Sequence, residues 1–101
     1  MATTKEQLSA FMALMPGVGD ITVRPMMGEY LLYYRGRLFG GIYDGRLLVK
    51  DLSSARELLP NASESFPYPG AKPMLEVENP DPVAMLQLLE HIYPELPMKK
   101  K

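Results

Sequence analysis

The chain has no cysteine among its 101 residues, a single histidine, and no apolar run long enough to make a membrane helix. Each absence removes a class of function. Without cysteine there is no disulfide framework, no thiol nucleophile and no thiolate metal site, and a reducing cytoplasm suits such a chain. With His91 alone, a catalytic triad or a metal site has no second imidazole to draw on. No span reaches the roughly 18 apolar residues of a membrane helix. Met1-Ala2-Thr3-Thr4-Lys5-Glu6 lacks the apolar stretch of a signal peptide, so the expected location is cytoplasmic. A dominant charge is missing as well: 11 Lys and Arg stand against 12 Asp and Glu.

What is present is ordinary globular composition, 47% hydrophobic and 23% charged, which argues against disorder over most of the length. A chain this short builds one core, so residues 1–101 are expected to form a single domain whose function sits on its surface or edges. The net charge of -1 hides an asymmetry. Arg24, Arg35, Arg37, Arg46 and Lys50 outnumber Glu29 and Asp44 in one stretch, the segment from Asp51 to Glu95 is acidic, and Lys99-Lys100-Lys101 is basic again. Oppositely charged faces of this kind favour self-association, and a homodimer is expected.

Thr4 with Gln7 three residues later makes a capping box, and Leu8, Phe11, Met12 and Met15 recur at helical spacing until Pro16-Gly17. Ile21-Thr22-Val23-Arg24 reads as a short strand that Pro25 confines to an edge or an end. Three strands follow, near 29–35, 37–43 and 46–50. Asp44-Gly45 is the preferred dipeptide of a type I′ turn, and Arg35-Gly36 is a weaker version of it. Gly40-Gly41 in the middle strand predicts a bulge, curvature or a close crossing, with a helix laid over it. Leu31-Leu32, Tyr33-Tyr34 and Phe39 put apolar groups on both faces, one for helices and the other for a partner.

Ser53 or Ser54 caps a short helix that ends at Pro60-Asn61, and residues 62–73 form a proline-rich shaped loop. Met74-Leu75-Glu76-Val77-Glu78 alternates as a half-buried strand. Asp81 as N-cap and Pro82 at the first helical position open a last helix, with Val83, Leu86, Leu89, Ile92 and Tyr93 as its stripe, widened by Met85 and Leu88. Residues 97–101 read as a frayed tail.

Three pieces of this chain resemble the TfoX N-terminal domain (TfoX/Sxy) family, in particular its short standalone members. They are Arg24-Pro25-Met26-Met27-Gly28-Glu29-Tyr30; Tyr33 to Phe39 together with Asp44 to Lys50; and Phe66-Pro67-Tyr68 with Gly70-Ala71-Lys72-Pro73-Met74. The resemblance implies an α+β fold of two layers, an antiparallel sheet built on a central meander with helices packed on one face. It also implies a link to regulation of natural competence, in which longer relatives with a second domain act as coactivators beside a transcription factor.

No residue pattern points to catalysis. The serines at 53, 54, 63 and 65 lie in cap and turn contexts with no nucleophile elbow, and Gly17-Val18-Gly19 lacks the spacing of a phosphate loop. His91 has only Glu95 at helical spacing as a second ligand and reads as a surface residue, while Glu76 and Glu78 read as a solvated pair. No cofactor is expected. The residues expected to bind a partner are Tyr30, Tyr33, Arg35, Arg37, Phe66, Tyr68 and Lys72, with the prolines around Phe66 and Tyr68 lowering the entropy lost on binding. The leading reading is a non-enzymatic adaptor that contacts a protein, transcription machinery among the candidates. The alternative is a nucleic-acid accessory domain using the basic meander and its tyrosines, a reading set back by a pI near 5.8.

Overall fold

Three two-residue turns build the sheet. Arg35-Gly36 (φ 50° and 82°) and Asp44-Gly45 (51° and 73°) are left-handed at both positions, as type I′ turns require. A third pair, Met27-Gly28 (51° and 88°), extends the expected three-stranded meander to four. The computed structural model describes residues 3–14, 21–67, 69–78 and 80–96. Within it the meander is β1 (Ile21–Met26), β2 (Glu29–Tyr34), β3 (Arg37–Tyr43) and β4 (Arg46–Val49). Two short strands, β5 (Glu64–Ser65) and β6 (Met74–Glu76), complete an antiparallel sheet of order β1-β2-β3-β4-β6-β5. Pro25 lies in β1, which is an edge strand as its missing N–H demands.

The bulge expected at Gly40-Gly41 is present: Leu32 opposes Gly40 while Tyr33 opposes Leu38, leaving Phe39 as the extra residue. The expected helix across it is not what these glycines meet. A Cβ on Gly40 would stand 2.0 Å from the Leu48 carbonyl oxygen and 2.8 Å from Val49 Cα, so β4's own backbone fills that space. A Cβ on Gly41 would fall 2.5 Å from the Tyr30 carbonyl oxygen and 2.7 Å from the Tyr43 ring, which lies across the strand.

All three helices pack on one face of the sheet, giving the two layers of an α+β fold. That face presents Leu32, Tyr34, Phe39, Ile42, Val49 and Leu75 to α1 (Lys5–Met12), α2 (Ser53–Leu58) and α3 (Pro82–Ile92). The capping box on α1 forms as expected, Gln7 N donating to Thr4 Oγ1 at 3.0 Å and Thr4 N to Gln7 Oε1 at 2.9 Å. The helix stops at Met12 with Ala13 as C-cap; Met15 and Pro16-Gly17 lie outside the described residues. Asp81 caps α3 through Ala84 N at 2.9 Å, with Pro82 first in the helix.

The buried stripe of α3 is Met85, Leu88, Leu89 and Ile92, whereas Val83 and Leu86, expected inside, are 67% and 40% exposed. Both sets keep helical spacing on a nearly all-apolar helix, so periodicity alone leaves the rotation open. Contacts to the sheet fix it: Tyr34 Oη donates to Glu90, and Arg37 Nη1 donates to the Tyr93 carbonyl oxygen at 3.0 Å.

The cap on α2 also differs from expectation. Its N-cap is Leu52 with no side-chain bond, and Ser53 and Ser54 are its first two helical residues. The anion comes from the 3-10 turn Tyr93–Glu95: Glu95 accepts from Ser54 N (3.0 Å), Ser54 Oγ (2.5 Å) and Ser53 Oγ (3.0 Å). A carboxylate at a helix start is favoured by the exposed N–H groups there. The Ser54 hydroxyl, the Ser54 N–H and the Ser53 hydroxyl hold its pKa below the ordinary glutamate value.

Glu29 is a second such hub. It accepts from Thr3 N (3.0 Å), Thr3 Oγ1 (2.6 Å) and Asp44 N (3.0 Å), tying the residues before α1 to the β3–β4 turn. Burial pushes its carboxyl up, but the Thr3 hydroxyl and the two N–H donors outweigh it and leave the pKa lowered. Among the described residues no helix is long and apolar enough to cross a membrane.

Candidate functional site

The strands alternate, so the face away from the helices has its own row of side chains. Register places Leu31, Gly41 and Leu48 side by side on it, with Tyr33 opposite Leu38 and Tyr43 opposite Arg46. Among the described residues no helix covers this face; the loop between β5 and β6 runs along it instead. Between loop and meander lies an open groove of about 640 Å³, with Met26, Leu31, Leu38 and Tyr43 from the sheet and Pro67, Pro73 and Met74 from the loop side. Its lining is mainly apolar, and its volume falls in the ordinary range for ligand sites.

Three charged side chains line the groove: Lys50, Asp51 and Lys72. Arg56 holds Asp51 in a two-pronged contact, Nε to Oδ1 at 2.6 Å and Nη2 to Oδ2 at 2.8 Å. That guanidinium keeps the Asp51 carboxyl below its usual pKa, and it also reaches Glu64 at 2.7 Å, which with Asp51 raises its own. Lys50 is half-buried and Lys72 exposed, and neither ammonium has an ion pair among the described residues.

The residues expected to contact a partner are divided by the fold. Lys72 lines the groove, and Phe66, 58% exposed, precedes the lining residue Pro67. The Phe66 carbonyl oxygen accepts from Arg46 Nη2 at 3.4 Å. Tyr33 shares the groove's face by register, whereas Tyr30 pairs with Ile42 on the helix-covered side. Arg35 and Arg37 sit at the far corner against α3. Arg35 Nη2 lies 3.2 Å from Glu90 Oε2 and its guanidinium 5.0 Å from the Tyr34 ring centre, while that of Arg37 stacks 4.3 Å over Tyr93. Tyr68 lies outside the described residues.

Sequence reasoning missed Met27, which is 97% exposed and follows the lining residue Met26. It holds φ 51°, a conformation that Asn, Asp or Gly adopts at less cost. The available signal was Met27-Gly28 itself, the same X-Gly pattern as Arg35-Gly36. Lys50, read only as part of a basic strand, was missed as a groove residue.

Other candidates are absorbed by structure. His91 Nε2 meets Glu57 Oε1 at 2.5 Å, joining α3 to α2, and does not pair with Glu95. Among the described residues no group of three or more potential metal ligands comes together.

The model of the TfoX N-terminal domain family matches residues 13–90, which take in the six strands, α2 and most of α3 but not α1. A curated relative, "Uncharacterized 12.7 kDa protein in trpE 5'region" from Spirochaeta aurantia, is 40% identical over 52 residues, which are 52% of this chain and 45% of the relative. The match thus spans less than half of that protein. No solved structure matches the chain.

Proposed function

Because the chain belongs to the TfoX N-terminal domain family, which is associated with competence regulation, we propose that it is a non-enzymatic regulatory adaptor acting through protein contacts on the groove-bearing face of its sheet. The observation that carries this reading is Met27: a large apolar side chain, 97% exposed, held at a left-handed turn position beside an apolar groove. The turn would be easier with Asn or Gly, so the backbone gives no reason for a methionine there. Exposed Phe66 at the loop side supplies a second apolar anchor of the kind found at interface centres.

The nucleic-acid reading has less support. Arg35 and Arg37, at the centre of the basic meander, are turned onto Glu90 and Tyr93, and Arg46 donates to the Phe66 carbonyl.

The test compares a strain lacking the protein with strains complemented by the parent or by a Met27→Asp/Phe66→Ser double variant, read as genome-wide transcript levels. Restoration by the parent and not by the variant, with equal thermal unfolding of both proteins, is the expected result. Full restoration by the variant would remove this face from the function, and an unchanged transcript profile in the deletion strain would remove the regulatory role.

A further inference from the structure

The groove has a feature that docking of Met27 and Phe66 does not use: two ammonium groups beside an apolar floor. Lys50 and Lys72 both line it, and neither is paired among the described residues. The carboxylate that shares the lining, Asp51, is already committed to Arg56 through both oxygens. The floor is built firmly: Tyr43 is 5% exposed with its ring across Gly41, and Leu48 is fully buried although no helix among the described residues lies on this face. The Pro67 and Pro73 side of the loop walls it, and prolines leave little freedom to lose on binding.

We propose that this groove is a binding site for a small organic anion with an apolar body, its carboxylate between Lys50 and Lys72 and its hydrocarbon or aromatic part over Leu38 and Tyr43. Apolar walls with a few convergent charged groups are the general pattern of small-molecule sites. Charge-assisted contact supplies the selectivity for an acid over a neutral analogue. The anion site uses side chains other than the docking anchors Met27 and Phe66 and binds on the isolated protein.

The test uses three probes with one skeleton, phenylbutyrate, phenylbutanol and phenylbutylamine, titrated into the isotopically labelled protein and followed by amide chemical shifts. Phenylbutyrate is expected to bind several-fold to about tenfold tighter than phenylbutanol, with shifts centred on Leu38, Tyr43 and Lys72, and phenylbutylamine weakest; two partly exposed lysine contacts are worth about that ratio. In the Lys50→Gln/Lys72→Gln variant the acid and the alcohol are expected to bind alike. The alcohol's unchanged affinity there shows that the groove is still folded. Equal affinity of acid and alcohol for the parent, shifts centred elsewhere, or no binding by any of the three would overturn the proposal. So would an acid preference that survives in the double variant.

Discussion

Replacing Gly40 by alanine would test how tightly the β3–β4 ladder is closed. The added methyl would begin 2.0 Å from the Leu48 carbonyl oxygen and 2.8 Å from Val49 Cα, both main-chain atoms that no rotamer change can move. Carbon and carbonyl oxygen rest at about 3.3 Å or more, so the strands must part by about 1 Å. The Gly40–Val49 pairing and the neighbouring Lys50 N to Phe39 O bond (2.9 Å) lie in the path of that movement. Losing two or three such interactions in a buried ladder costs about 3 kcal/mol. A domain of this size has about 5–15 kcal/mol in total, so the melting temperature should fall by about 15 °C. Gly36→Ala is the matched control: nothing lies within 4 Å of its added methyl, and only the positive φ of 82° penalises it. That strain costs about 1 kcal/mol, or about 5 °C. Thermal and urea unfolding followed by circular dichroism measure both. If Gly40→Ala melts no lower than Gly36→Ala, the close approach of β4 does not hold in the folded protein.

Met27→Asn should raise stability by about 0.5–1 kcal/mol in urea unfolding, by relieving a left-handed methionine, while weakening the regulatory activity proposed above. Tyr34→Phe removes the hydroxyl bonded to Glu90 and should cost about 1 kcal/mol in the same assay, with Arg35 still beside that carboxylate. The folded-state pKa values of Glu29 and Glu95 are lowered, so their stabilisation is present above the ordinary glutamate pKa and is lost as the pH falls through the lower, folded value. A pH series of melting temperatures should therefore be flatter on the acid side for Glu29→Gln than for the parent, with the two curves converging at the lowest pH. Parallel curves would show that Glu29 does not stabilise the fold through its charge.

Local chemistry was legible in the sequence where neighbours decide the outcome. The Thr4/Gln7 box, Asp81 with Pro82, and the turns at Arg35-Gly36 and Asp44-Gly45 all depend on residues within a few positions of one another. The turn at Met27-Gly28 was obscured by Pro25, which suggested that the strand ended there, although an edge position lets β1 run through it to Met26. What escaped was set by distant partners. Glu95 takes the capping role assigned to Ser53 or Ser54 from about forty residues away, and the rotation of α3 depends on Tyr34 and Arg37, each 56 positions from its bonding partner. The groove was half legible. The proline loop and Lys72 marked one wall, but the opposite wall depends on strand parity after the bulge at Phe39, and a bulge exchanges the two faces beyond it.

The Glu95 cap also bears on how the domain assembles as it leaves the ribosome. The meander pairs strands in the order in which they are made, so it has its partners early. Helix α2, six residues long, is too short to persist alone, and the carboxylate that satisfies its first N–H groups is made some forty residues later. The side chains of α3 that cover the sheet are late as well. Nascent chains should therefore pass through a stage with a formed sheet and a bare apolar face, and become protease-resistant only once residue 95 has cleared the exit tunnel.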